Sequence, residues 1–162
     1  MIKYFNMWEQ IKLFFTNPIL LAGLTSWFLA QFIKTVINLI YGKVHSFGEL
    51  ISLLVWRTGG LPSSHTALVT SVCTTVGFRN GITSDLFMIS TCFLMVTVRD
   101  AVGVRLSSGL QAQKMNEMGK ELKEKGVIGE YKTVKEVNGH TPLEVAVGFL
   151  LGFFIGVAFS SL

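Results

Sequence analysis

The sequence predicts an all-α, integral-membrane helical bundle with about four transmembrane helices, an N-terminal interfacial helix and a long polar connection before the last span. Three observations carry this. Half of the 162 residues are hydrophobic, 13 of them Phe, and the mean hydropathy is +0.52, too apolar for a soluble domain of this size, whose surface needs polar cover. Residues 18–41 and 142–162 each hold one formal charge, Lys34 and Glu144, and each reaches the roughly 20 residues that a span requires. Between them, residues 66–78 and 86–98 carry no charged residue, and the turn signal Arg79-Asn80-Gly81 joins them as a helical hairpin.

Taken in order, residues 1–16 mix Lys3, Glu9 and Lys12 with aromatic residues and lack a small-residue cleavage pattern. That predicts a helix lying in the interface and not a cleaved signal peptide. After the hairpin, residues 111–125 carry mixed charges with Met115, Met118 and Leu122 at helical spacing. They predict a helix that runs on from the third span into water and ends near Gly126. No second soluble domain is left over, so residues 1–162 read as one membrane-embedded domain.

Charge and cysteine usage exclude other classes. The net charge of +4 is spread among acidic residues in the connections, with no aromatic-rich basic strand, so nucleic acid is not an expected partner. Cys73 and Cys92 both fall in apolar runs, where free cysteine behaves as a small hydrophobe, and neither a disulfide nor a metal pair is indicated. With four spans, one face of the membrane receives three basic residues (Lys3, Lys12, Arg79) and the other nine (Lys43, Arg57, Arg105, Lys114, Lys120, Lys123, Lys125, Lys132, Lys135). The richer face is expected to be cytoplasmic, with both termini outside.

Depth brings polar residues together. Lys34 lies 16 residues after Pro18, His65 lies 15 before Asn80, and Asp100 lies 17 after Thr83; at about 1.5 Å per residue all three are about 22 to 26 Å from the sparsely charged face. His140, just before the last span, joins the same layer. Ionisable groups at that depth need partners or a wet cavity, which makes their convergence a site hypothesis. Lys34 could instead snorkel, but Gln31 and Asn38 at i−3 and i+4 extend it into a polar stripe that snorkelling does not require. Asp100 is open to two readings, a structural ion pair with a basic residue on another helix or a chemical role.

Two short motifs supply chemistry. Pro62-Ser63-Ser64-His65 follows Gly59-Gly60 at the entry to an apolar helix, where unpaired N–H groups and the helix dipole suit an anion and the histidine offers a proton. The same residues equally suit a helix cap without chemistry. His140 and Glu144 are four apart and share a face, so the carboxylate can orient the imidazole and raise its basicity, as in a nucleophile or base dyad. A buried pair that only satisfies itself is the alternative.

The runs GGLPSSHTA, RDAVGVRLSSGLQAQKMN and NGHTPLEVAVG, in that order, resemble the divergent branch of the type 2 phosphatidic acid phosphatase superfamily, relatives of the vanadium haloperoxidases. The resemblance covers about Gln31 to Gly156. It implies a metal-independent, cofactor-free lipid phosphatase acting on a phosphomonoester or diphosphate through a phosphohistidine. On the matching positions it implies His140 as nucleophile, Glu144 as its orienting partner and His65 as acid. Lys34, Arg57, Ser63, Ser64 and Arg105 would bind phosphate; outside the matching positions, Asp100, Gln31, Asn38 and Gln111 are candidates for a structural or supporting part. Three positions depart from the superfamily pattern: Ser64 stands for the usual glycine, Glu144 for the usual aspartate, and Lys34 and Arg57 are 23 positions apart in place of a short fixed spacing.

Two competing functions remain at this stage. A non-catalytic binder or carrier of anionic lipid phosphates needs the cations but not the dyad, and a metal-dependent phosphatase would use Asp100, His65 and Glu144 as ligands. The expected partners are the bilayer and a lipid phosphate, with a second copy of the chain as a further candidate. The expected location is a bacterial plasma membrane, with the site opening to the cytoplasm.

Overall fold

Helix starts and stops follow local capping chemistry. The computed structural model describes residues 6–42, 46, 48, 50–51, 60–136 and 139–162. Helix α1 (Met7–Phe15) opens on a capping box in which Asn6 and Glu9 each accept the other's backbone N–H. Helix α2 (Pro18–Ile40) has Pro18 in its first turn and Asn17 as cap, its Oδ1 accepting the Ile19 N–H at 2.9 Å. Helix α3 (Ser64–Asn80) ends at Gly81, whose φ of 85° an L side chain would resist. Ser84 then caps α4 (Asp85–Arg99) by accepting the Phe87 N–H.

Helix α4 continues through a π-helical turn (Asp100–Val104) into α5 (Arg105–Glu124), a continuous rod of 40 residues. It stops in a Schellman motif: Val127 N–H donates to Leu122 C=O and Gly126 N–H to Lys123 C=O, with Gly126 at φ 69°. The expected polar helix ending near Gly126 is therefore present. Residues beyond it fold back on α5, where Asn116 pairs with the Val134 backbone and Tyr131 packs over Gly119. Helix α6 (Pro142–Ser160) starts on a second capping box, Thr141 with Glu144.

Among the described residues, three helical stretches are long and apolar enough to cross a membrane: Pro18–Ile40, Asp85–Glu124 and Pro142–Ser160. The expected fourth span, at residues 66–78, forms a helix of 17 residues rich in Ser and Thr. The reason is position: α3 is the central element, packed against α2, α4 and α6, so most of its surface meets protein and need not be apolar. By contrast α4 buries no side chain and shows Met88, Ile89, Phe93, Met95 and Val96 to its surroundings, as a lipid-facing helix should.

Close approach of helices sets the core. A Cβ on Gly148 would meet the Ser63 carbonyl oxygen at 2.5 Å, one on Gly152 the Thr70 Cβ at 2.9 Å, and one on Gly156 the Thr74 Cβ at 2.6 Å. These glycines, four apart, form the small-residue stripe on which α3 rests. Hydroxyl bonds join the same helices: Ser26 Oγ to Ser71 Oγ at 2.8 Å between α2 and α3, and Thr75 Oγ1 to Gly156 C=O at 3.2 Å between α3 and α6. Hydrophobic collapse offers little between helices in lipid, so such packing and hydrogen bonding hold the bundle.

Candidate active site

The π turn organises one end of the bundle. In it the Arg105 N–H reaches back five residues to the Asp100 carbonyl, one more than in an α-helix, which brings the two side chains onto one face. Arg105 Nε accordingly bonds Asp100 Oδ2. This corrects the expectation of a partner on another helix: the added residue per turn makes a partner within the rod. The Ala101 carbonyl, inside the turn, accepts the His140 N–H at 3.1 Å. The backbone of His140 is thereby fixed to the rod that carries Arg105.

His140 is buried, 4% exposed, and its Nδ1 lies 3.0 Å from Glu144 Oε2. The same oxygen accepts the Thr141 N–H at 3.1 Å, so one carboxylate oxygen closes the α6 cap and orients the imidazole. With that carboxylate ionised, Nδ1 carries the proton and Nε2 keeps its lone pair. His140 precedes the span, and its net shift is opposite to the one the pairing alone predicts. Burial pushes the imidazole below the ordinary histidine value, and the Glu144 hydrogen bond only partly opposes it.

His65, at the head of α3, is exposed into a cavity of about 330 Å³ that it lines with Asp100, Arg105 and His140 over a floor of Leu68 and Val69. The charges of Arg105, Lys34 and Asp100 all act on it. The first bond inside α3 is Ala67 N–H to Ser63 C=O at 3.0 Å, so the Ser64, His65 and Thr66 amides have no partner within the helix. Ser63 is different. Its N–H donates to the Glu144 carbonyl at 3.0 Å, its hydroxyl pairs with Thr66 Oγ1, and it is fully buried against Gly148. Close packing of α6 has taken up the donor that the sequence offered to an anion. Ser64 is buried beside it.

Lys34 does not snorkel. It is 1% exposed, its stem runs past Gly60, and among the described residues its Nζ has no hydrogen-bond partner. Its charge reaches both His140 and Glu144. Gln31, one turn earlier, is buried, and among the described residues its Oε1 has no hydrogen-bond partner. Asn38 points elsewhere, donating to the Lys34 carbonyl at 2.8 Å, and Gln111 is exposed on α5, away from the cavity. Arg57 lies outside the described residues. The proposed metal set of Asp100, His65 and Glu144 is not assembled, for among the described residues no three His, Cys, Asp or Glu side chains come within metal-binding reach.

The structure thus brings His65, His140, Glu144, Arg105 and Lys34 to one end of the bundle and leaves Asn38 and Gln111 aside. Two contributors escaped the sequence reading. The Ala101 carbonyl has no side-chain signal at all, whereas the Gly148, Gly152, Gly156 repeat is visible as a small-residue spacing of four.

Comparison with known proteins shows the family of the chain. A family model described as the divergent PAP2 family matches residues 15–155. The chain is also 36% identical over 150 residues to the uncharacterized membrane protein YuiD of Bacillus subtilis (strain 168), an alignment that covers 86% of this chain and 92% of that one. No solved structure matches the chain. The matched region holds every one of the motif residues brought together above, and the chain belongs to the divergent PAP2 family.

Proposed function

We propose that this chain is a metal-independent lipid phosphatase of a bacterial plasma membrane, working as a single membrane-embedded domain on a lipid phosphomonoester or diphosphate. The observation that carries the reading is the buried His140–Glu144 pair, held at the rim of a cavity shared with His65 and Arg105. A histidine that serves only its own carboxylate has no need of a second histidine and an arginine around the same space.

In this reading Nε2 of His140 attacks phosphorus while the bond to the leaving oxygen breaks, and His65 gives that oxygen its proton. His65 then takes a proton from water, the water oxygen attacks the phosphohistidine, the P–N bond breaks, and inorganic phosphate leaves with His140 restored. Glu144 holds the ring and balances the charge that grows on it. Lys34, Arg105 and the α3 amides neutralise the phosphoryl oxygens, with Arg57 a further candidate, since phosphoryl transfer needs positioning and charge neutralisation above all.

The excess of Lys and Arg on one set of connections supports a site that opens to the cytoplasm and takes its lipid from the inner leaflet. Release of inorganic phosphate from alkyl and prenyl phosphates by purified protein, with chelator present, is the test. Turnover by the native chain and none by His140→Ala is expected. Tight binding of these lipids with no phosphate released would leave a carrier.

A further inference from the structure

An apolar groove adjoins the cavity. It has a volume of about 530 Å³ and runs between α2 and α4 over a floor of α3. Gly23 and Leu24 form one wall, Ile89 and Phe93 the other, and Leu68 and Val72 the floor. Phe14 of α1 stands at the far end. Leu68 and Phe93 line both spaces, so groove and cavity adjoin across these two side chains.

We propose that this groove holds a single hydrocarbon tail of the lipid phosphate whose head group occupies the cavity, and that Phe14 sets how long that tail can be. For the head group the proposal rests on the phosphatase reading. Chemistry selects the occupant. No charged side chain lines the groove, and its two polar members, Asn17 and Ser90, already bond the Ile19 N–H and the Phe87 carbonyl. Neither carries a charge to hold a phosphate, whereas the cavity beside the groove is lined by Arg105 and two histidines. One anionic end joined to one dry channel is the shape of an amphiphile.

Length agrees as well. Fourteen helical residues, about 21 Å, separate Asp100, which lines the cavity, from Leu86, which lines the groove. At Gly23 the α2 wall sits close on the α3 floor, where a Cβ would stand 3.0 Å from Val72 Cγ2. In a bilayer the tail gains nothing by leaving water, so recognition must come from close contact along the walls. That rewards a chain of matching length and leaves the second chain of a two-chain lipid in the bilayer.

The test pairs binding with turnover, using hexadecyl phosphate bearing a diazirine on its last carbon, and hexyl phosphate, on the full chain in lipid nanodiscs. Photolabel is expected on peptides containing Phe14 or Leu86. Ser90→Trp narrows one wall, and Leu24→Trp, at a half-exposed position of the other, serves should the first variant not fold. Each should lower labelling and turnover of the hexadecyl ester about tenfold or more relative to the hexyl ester. Groove labelling with no phosphate released from either ester would refute the hydrolase reading and uphold the groove. Equal losses on both esters, or label confined to α6, would overturn the groove even where turnover is normal.

Discussion

Glu144→Gln separates the cap from the chemistry. Glu144 Oε2 accepts two hydrogen bonds, from Thr141 N–H at 3.1 Å and from His140 Nδ1 at 3.0 Å. A glutamine oxygen can still accept one or both, so folding loses only charge assistance, which is worth about as much again as a neutral bond, or about 1 kcal/mol. Turnover loses more, because a neutral amide cannot balance the positive charge that develops on the imidazole as it takes the phosphoryl group. Replacing the orienting carboxylate of a catalytic histidine typically costs a hundredfold or more, which is about 2.7 kcal/mol of barrier at 1.36 kcal/mol per tenfold. Phosphate release and thermal unfolding, measured on the same detergent preparation, read the two effects side by side. A loss of activity below about threefold, or one that only tracks the fraction unfolded, would show that Glu144 is a cap and nothing else.

Other outcomes follow from the same geometry. The acid limb of kcat/KM should lie below the ordinary histidine range near 6.5, because burial favours neutral His140. The Glu144 bond opposes that shift, so Glu144→Gln should move the limb further down; an upward move would contradict the assignment. Lys34→Met removes a buried amine that has no hydrogen-bond partner among the described residues, so it should leave the melting temperature unchanged or raise it while abolishing phosphate release from a lipid phosphate. A lower melting temperature would point to a structural lysine. His65→Ala should slow an alkyl phosphate far more than an aryl phosphate, whose leaving group departs without a proton, and equal losses in stopped-flow would sink that role. Gly152→Leu should separate α3 from α6 and destabilise by about 1–3 kcal/mol or more, and normal stability in a thermal scan would contradict the close contact with Thr70.

Much of this protein could be read locally. Asn17, Ser84, Thr141 and Gly126 mark helix ends through bonds within a few residues, and such signals survive without any tertiary context. His140 and Glu144 also pair locally, since His140 stands just before the Thr141 cap and the capping carboxylate reaches its ring, and the stripe of Gln31 with Lys34 announced its burial through the cost of placing charge in lipid.

Other features had no local cause. The π turn joins Arg105 to Asp100 and is tied through Ala101 to the His140 backbone, a bond between distant parts of the chain that no window of residues 100–104 can express. The diversion of the Ser63 N–H to Glu144 depends on how closely Gly148 lets α6 approach. The polar character of α3 became intelligible only once three helices were packed around it. Local sequence determined where helices begin, end and carry charge, because those energies arise within a turn or two. The pocket required the tertiary structure, because its shape and its remaining free donors depend on which backbone groups neighbouring helices have already taken.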